Sequence, residues 1–282
     1  NRVTFAKWTP SYFKVLINYV EKYTPDLSSL RYLMIAGEEL LTSYVERWFA
    51  VYPFHTIINE YGPTETTVGA TTQVVTKSNL NRQLKTVPIG QPIGNTHLYI
   101  VDSNESPLPQ GEVGELWIGG AGVGLGYYKA TELTQTRFIK NPFSKEDEIL
   151  YKTGDLVKQL PDQSYLYVGR IDNQVKINGY RVETSEVEHC LLQQSEIDHA
   201  FVIVREDKNR DRYLEAYIVL KASIHSFDTS VLNKHISQYL PQFMLPRHYH
   251  LIDRIPLTPN GKVDQRALVA QGRHLEARQN GE

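Results

Sequence analysis

A few short stretches carry most of the side chains able to do chemistry. Asn59-Glu60-Tyr61-Gly62-Pro63-Thr64-Glu65 sets an aromatic ring, a tight turn, a hydroxyl and a carboxylate within five positions. A ring can stack on a base, and a Thr–Glu pair can hold phosphate oxygens and a hard cation such as Mg2+. The plain alternative is a surface turn with a solvated Glu. Tyr151-Lys152-Thr153-Gly154-Asp155 puts a carboxylate just after a glycine turn, where it can accept both hydroxyls of a ribose. Arg170, in Gly169–Lys176, is a fixed fork of donors. Asn260-Gly261-Lys262 sets a lysine on a turn near the C-terminus; taken alone, it reads as a solubilising surface charge. The glycine-dense run from Gly114 through Gly119, Gly120, Gly122, Gly124 and Gly126 lacks the Lys-Ser/Thr ending of a phosphate loop. No strand–turn–helix unit frames it as a dinucleotide site, so tight backbone bends are the better account.

The elements that must position these groups are alternating at first. Apolar Phe13, Leu16, Ile17 and Val20 predict a helix over 11–22, and Arg31 to Ala36 reads as a buried strand ending at Gly37. Thr42 to Tyr52 reads as a helix and His55 to Ile58 as a strand. Asn59 to Thr72, rich in Thr and Gly, reads as a loop. From Pro88 to Gly126 the signals are β, with short runs at Leu98–Val101 and Glu115–Ile118. Thr131 to Phe138 predicts a short helix and Tyr165 to Val168 a strand.

A boundary falls near Gly169 to Asn173, beyond which the pattern is α+β. Ser185-x-x-Glu188 reads as a capping box opening a helix with Val187 and Leu191 on one face. Ala200–Val204 and Ala216–Leu220 read as strands and Val231–Leu240 as a helix. The expected fold class is therefore α/β and α+β. The expected division is 1–171, 172–270 and a polar tail over 271–282.

Composition narrows the function classes. With 282 residues, 41% hydrophobic and 22% charged, the chain can build a sizeable core. Thirty Lys and Arg against 32 Asp and Glu give a net charge of −2, which argues against nucleic acid as a partner. No apolar run reaches the ~18 residues of a membrane span, and Asn1 to Phe5 has no apolar core of a signal peptide. A cytoplasmic location follows as the expectation. Cys190 alone excludes a disulfide framework and reads as a small core hydrophobe. His248 and His250 share a strand face but have no third ligand at a suitable spacing, so packing outranks metal binding.

Taken in order, the motifs resemble those of the adenylate-forming superfamily, most closely the amino-acid adenylation domains of nonribosomal peptide synthetases. The likeness runs from about Phe5 to Asp264. Asn59–Glu65 looks like the superfamily's fifth core motif, Gly114–Tyr127 the sixth, Tyr151–Leu156 the seventh and Gly169–Glu188 the eighth. Leu240–Pro246 looks like the ninth and Asn260–Asp264 the tenth. The resemblance implies the C-terminal part of the large adenylation core, with a β-rich subdomain, and a small mobile α+β lid. It implies that Tyr61 stacks on adenine, Thr64 touches the α-phosphate and Glu65 helps hold Mg2+. Asp155 would take the ribose hydroxyls beside Arg170, and Gly62, Gly37 and Glu38 fall at nucleotide-binding positions. Asp172 would be the hinge, Lys262 the cation reaching the reacting phosphate, and Gly179 part of the channel for the thiol arm. The implied partners are ATP, Mg2+, an amino acid and the phosphopantetheine of a peptidyl carrier domain. Two departures stand out: the family usually has Arg where this chain has Asn178 and Gln265.

The resemblance also implies a missing piece. The family's phosphate loop with its Lys, and the segment whose Asp grips the substrate's amino group, precede everything in this sequence. The upstream half of the domain is thus an expected partner, and the chain is not expected to adenylate efficiently alone. A rival role is a non-catalytic partner of a split enzyme or a carrier-docking piece; a rival family branch is the acyl-CoA synthetases. The family's amino-acid pocket aligns with Lys7, Met34, Ala36, Glu60, Val68 and Gly69. One ammonium donor and one carboxylate acceptor suit a side-chain amide, so asparagine is the expected substrate, with arginine or another basic amino acid as the runner-up.

Overall fold

The computed structural model describes residues 2–145, 147–171, 174–177, 179–208, 211–221, 229–258, 263–271 and 273–274. The chain divides into two compact units, Asn1–Asp172 and Asn173–Glu282.

The first unit opens with a parallel sheet. Strands β1 (Phe5–Trp8), β2 (Tyr32–Ala36) and β3 (Thr56–Tyr61) run parallel. They are joined by helices α1 (Pro10–Tyr23) and α2 (Thr42–Val51), the crossovers a parallel pair requires. Helix α1 starts where Thr9 caps it with its hydroxyl on the Tyr12 N–H and Pro10 enters the first turn. Its buried face, Phe13, Ile17 and Val20, packs with Leu33, Ile35, Ile57, Trp48 and Phe49 in one core. Strands β4 (Thr71–Val75) and β5 (Gln91–Pro92) complete this sheet in antiparallel fashion.

An antiparallel sheet follows, built from β6 (Thr96–Val101), β7 (Val113–Gly120), β8 (Phe138–Lys140), β9 (Ile149–Gln159) and β10 (Tyr165–Arg170). Its order is β10-β9-β7-β6, with β8 beside β9 and helix α3 (Thr131–Arg137) leading into β8. Tyr61 at the end of β3 and Ala70, just before β4, share a buried cluster with Ile100, Leu116, Ile118 and Val157 from the second sheet. That shared core fixes the two sheets to each other and sets the site between them.

The second unit begins with a hairpin, β11 (Gln174–Ile177) and β12 (Tyr180–Glu183), then α4 (Thr184–Leu192). Strands β13 (Ile197–Glu206) and β14 (Arg212–Leu220) pair antiparallel. After α5 (Thr229–Ile236), β15 (His248–Leu251) runs parallel to β14, and α6 (Gln265–Gln271) precedes the short β16 (Arg273–His274). Val182, Val187, Cys190, Leu191, Ile218 and Leu232 belong to its main core.

Three sequence expectations are corrected. Asn59 to Thr72 is not all loop: β3 runs on to Tyr61 and β4 begins at Thr71, because the Tyr61–Thr71 pairing continues the ladder. Asp155 does not follow a turn but sits inside the eleven-residue β9, where Gly154 takes a left-handed φ of +72°. The capping box at Ser185 does not form. The cap residue of helix α4 is Glu183, two positions earlier, and Glu188 instead accepts the Val202 N–H of β13 at 2.8 Å.

Cys190 is buried in the core of the second unit, as a small hydrophobe would be. His250 stacks on Tyr217 with ring centroids 4.7 Å apart, a packing role. Among the described residues no group of three or more His, Cys, Asp or Glu could hold a metal ion, and no helix is long and apolar enough to cross a membrane.

Candidate active site

Three of the sequence-predicted residues meet around one carboxylate. Asp155 on β9 and Arg170 on β10 are direct cross-strand partners. The Arg170 guanidinium Nη1 donates to Asp155 Oδ1 at 2.6 Å, and the Tyr61 hydroxyl donates to Asp155 Oδ2 at 2.5 Å. The backbone around Asp155 is braced as well. Its N–H donates to Thr153 Oγ1 at 2.9 Å, the Thr153 hydroxyl donates to the Leu116 carbonyl at 2.7 Å, and the Gly154 N–H donates to Glu115 Oε1 at 2.9 Å. Burial, then the charge of Asp155, pushes the Tyr61 hydroxyl well above its ordinary pKa, so it stays protonated and keeps donating. The Tyr61 ring is 8% exposed and lies in the core cluster joining the two sheets.

The loop after Tyr61 is tightly wound. Gly62 is required by close backbone approach: a Cβ there would lie 2.3 Å from the Val68 carbonyl oxygen. Thr64 to Thr66 form a single 3-10 turn, which leaves Thr64 exposed and Glu65 half-buried. Thr67 and Val68 both take left-handed φ angles, +61° and +68°. Left-handed backbone at a β-branched residue is strained, and such strain collects at functional sites.

This loop rests on the glycine-dense segment after β7. The Gly124 N–H donates to the Glu65 carbonyl at 2.8 Å, and the Thr67 hydroxyl donates to the Gly122 carbonyl at 2.7 Å. The Tyr127 hydroxyl donates to Glu65 Oε1 at 2.6 Å. Side chains at 122 or 124 would crowd the loop, since their Cβ atoms would meet the Thr66 and Glu65 carbonyl oxygens at 2.9 and 3.3 Å.

The pocket residues also come together. Alternation along the strands puts Lys7, Met34, Ala36 and Glu60 on one face of the parallel sheet, opposite the helices. On that face the Lys7 ammonium and the Glu60 carboxylate form an ion pair. Gly69 abuts the same carboxylate, since a Cβ on it would lie 2.9 Å from Glu60 Oε1. Val68, next to it, is 52% exposed.

Gly37, with φ +94°, ends β2. Glu38 is engaged by helix α1: its Oε2 accepts the Ser11 N–H at 2.9 Å and the Ser11 hydroxyl at 2.6 Å. Gly179, with φ +83°, lies in the two-residue connection of the β11–β12 hairpin in the second unit. Lys262 and Asp172 lie outside the described residues.

Sequence reasoning missed several residues that shape the site. Tyr127 closes the glycine-dense motif and was within sight there, but glycines alone drew the interpretation. Thr153 enters the sequence reading only as part of the turn before Asp155, and Glu115 only as the start of a strand. Asn59, buried, donates to the Val87 and Pro88 carbonyls at 3.2 and 2.8 Å and so anchors the base of the loop.

Comparison with known proteins follows the same lines. Residues 1–128 match the family described as AMP-binding enzyme, and residues 186–262 match the AMP-binding enzyme C-terminal domain. Tyrocidine synthase 2 of Brevibacillus parabrevis is 40% identical over 266 residues, covering 94% of this chain and 7% of that protein. Bacitracin synthase 2 of Bacillus licheniformis is 42% identical over 265 residues, covering 92% of this chain and 10% of that protein. Among solved structures, holo-PA1221, a nonribosomal peptide synthetase protein containing adenylation and carrier domains, superposes with a TM-score of 0.79 at 29% identity. That match covers 95% of this chain and 44% of PA1221. Amide bond synthetase McbA from Marinactinospora thermotolerans shares the fold, with a TM-score of 0.81 at 24% identity over 95% of this chain and 51% of McbA. The chain thus spans about half of these structures and a small fraction of the synthetases it matches. With its motifs, fold and relatives in agreement, the chain belongs to the AMP-binding enzyme family, carries a match to that family's C-terminal domain, and is similar to nonribosomal peptide synthetase proteins with adenylation domains.

Proposed function

We propose that this chain is the C-terminal portion of an adenylation domain that activates asparagine and passes it as a thioester to a carrier domain. In the first half-reaction the amino-acid carboxylate attacks the α-phosphorus of ATP and pyrophosphate leaves. The reaction needs positioning and charge stabilisation more than covalent help from the protein. Asp155, held between Tyr61 and Arg170, receives the ribose hydroxyls, and Tyr61 lies against adenine. Thr64 touches the α-phosphate.

Glu65 suits Mg2+, which is usually held by one or two carboxylates together with substrate phosphates. It is the one acidic side chain of its loop, half-buried and oriented by Tyr127. When bound, the ion neutralises charge on the phosphate oxygens. Residues 1–171 form the core portion, 172–270 a small mobile lid hinged at Asp172, and 271–282 a polar tail. Lys262 supplies a cation in the adenylation step, and Gly179 lines the path of the phosphopantetheine arm. The upstream half supplies the phosphate loop and the grip on the substrate ammonium. The assembly works in the cytoplasm, without nucleic acid or membrane.

The substrate assignment rests on the Lys7–Glu60 ion pair, on one sheet face with Met34 and Ala36. A carboxamide offers what that pair lacks when parted: a carbonyl for the ammonium and an NH2 for the carboxylate. A basic substrate would have to displace Lys7 from Glu60 altogether, which makes arginine the weaker reading. Amino-acid-dependent ATP–pyrophosphate exchange tests it: the completed domain should exchange best with Asn, and preference for any other amino acid refutes the assignment.

A further inference from the structure

The Tyr127 hydroxyl is one of several contacts that converge on Glu65. The residue's backbone carbonyl is held by the Gly124 N–H, its neighbour Thr67 is tied to the Gly122 carbonyl, and its carboxylate accepts from Tyr127. The donor is itself fixed. Its ring sits edge-on to Phe138 at 5.4 Å between centroids, Phe138 packs on Tyr151 at 5.1 Å, and the Tyr151 hydroxyl lies 3.3 Å from the Tyr127 hydroxyl. The Tyr127 N–H donates to Thr134 Oγ1 at 2.9 Å, which anchors its backbone to the middle of α3. An aromatic shelf built from β8, β9 and the post-β7 segment thus ends in one hydroxyl aimed at one carboxylate oxygen.

We propose that Tyr127 is a positioning residue for the metal-bound nucleotide, orienting the Glu65 carboxylate so that it meets a divalent cation without first reorganising. This rests on the reading of Glu65 as the cation's protein ligand. The role also accounts for the glycines at 122 and 124, whose bare backbones let the shelf approach the Glu65 loop. Groups that hold a metal's ligands in place commonly govern metal affinity as strongly as geometry at the ion does.

The test compares the adenylation domain completed with its N-terminal half, as parent, with its Tyr127→Phe and Glu65→Gln variants, using Mn2+ as the probe in the presence of ATP. Bound Mn2+ is followed by electron paramagnetic resonance, and nucleotide binding without metal is measured in parallel. Tyr127→Phe keeps the ring and its packing and removes only the hydroxyl. It should weaken Mn2+ binding to the ATP complex by about 10-fold, leave metal-free ATP affinity unchanged, and melt within a few degrees of the parent. Glu65→Gln should weaken Mn2+ binding at least as much. Full Mn2+ affinity in Tyr127→Phe alongside a loss in Glu65→Gln overturns the positioning role and leaves Glu65 as the ligand. An equal loss of ATP affinity with and without metal in Tyr127→Phe reduces the residue to a structural support and also overturns it. A completed domain that binds no Mn2+ with ATP, or a Glu65→Gln variant of it that binds Mn2+ fully, removes the reading of Glu65 itself.

Discussion

Arg170 and Asp155 face each other across adjacent strands, 2.6 Å apart, with side chains only 11% and 7% exposed. A pair so sheltered is costly to break, because the remaining charge keeps its desolvation and loses its partner. Asp155→Asn should therefore destabilise the first unit by about 3 kcal/mol, seen as a lower denaturant midpoint. It should weaken nucleotide binding more than the same change made at Asp162, which lies in an exposed turn. Equal effects at the two positions would count against a special role for Asp155.

Gly62→Ala tests the loop. The added Cβ would sit 2.3 Å from the Val68 carbonyl oxygen and 2.7 Å from the Ala70 nitrogen, both backbone atoms that cannot swing aside. The loop must shift, at a cost of about 1–3 kcal/mol, and Glu65 and Val68 move with it. The expected outcome is a modest fall in stability with a much larger loss of metal-dependent ATP binding. A variant that binds as the parent does would show that the loop's path is unimportant.

His55 gives a pH dependence with a definite sign. Trp48 Nε1 can only donate, so His55 Nδ1 accepts (3.2 Å) and Nε2 carries the proton toward the Leu27 carbonyl, also at 3.2 Å. Burial lowers the pKa below the ordinary 6.5, partly offset by that carbonyl. The unfolded chain therefore binds the proton more readily than the fold does. The stabilisation is fully present above about pH 6.5 and is lost as pH falls below it. Denaturant unfolding at about pH 7.5, 6.5 and 5.5 should show the parent losing more stability than His55→Gln across that range. Parallel curves for the two proteins would contradict the assignment.

Much of this arrangement was legible in the sequence, and the limits have physical causes. The spacing of Phe13, Ile17 and Val20 gave α1 because one helix face had to be apolar. Short apolar runs punctuated by Gly and Pro gave β2, β6 and β7. The end of β3 was hidden because Asn59, Glu60 and Tyr61 look like loop residues until the ladder to β4 extends through them. The capping box misled for a similar reason: Glu188 had a better partner, the Val202 N–H, supplied by tertiary structure. Motif order pointed to Tyr61, Asp155 and Arg170, but only the fold shows that they share one carboxylate. Tyr127 was invisible as a partner of Glu65 because 62 residues of sequence separate them.

The pocket makes a separate prediction. Replacing the acceptor Glu60 with a donor should favour a carboxylate side chain, so Glu60→His in the completed domain should shift preference from Asn toward Asp by about 10-fold or more, as expected when a buried polar partner is mismatched. The ratio of exchange rates with the two amino acids reads the shift directly. An unchanged ratio removes Glu60 from the pocket.

The most direct test of the whole account is ATP–pyrophosphate exchange with Asn, Asp, Gln and Arg, run on this chain alone and on the adenylation domain completed with its N-terminal half. The account predicts exchange only in the completed domain and fastest with Asn. Efficient exchange by the 282-residue chain alone would contradict the dependence on an upstream phosphate loop, and a completed domain that ignores Asn would contradict the role given to Lys7 and Glu60.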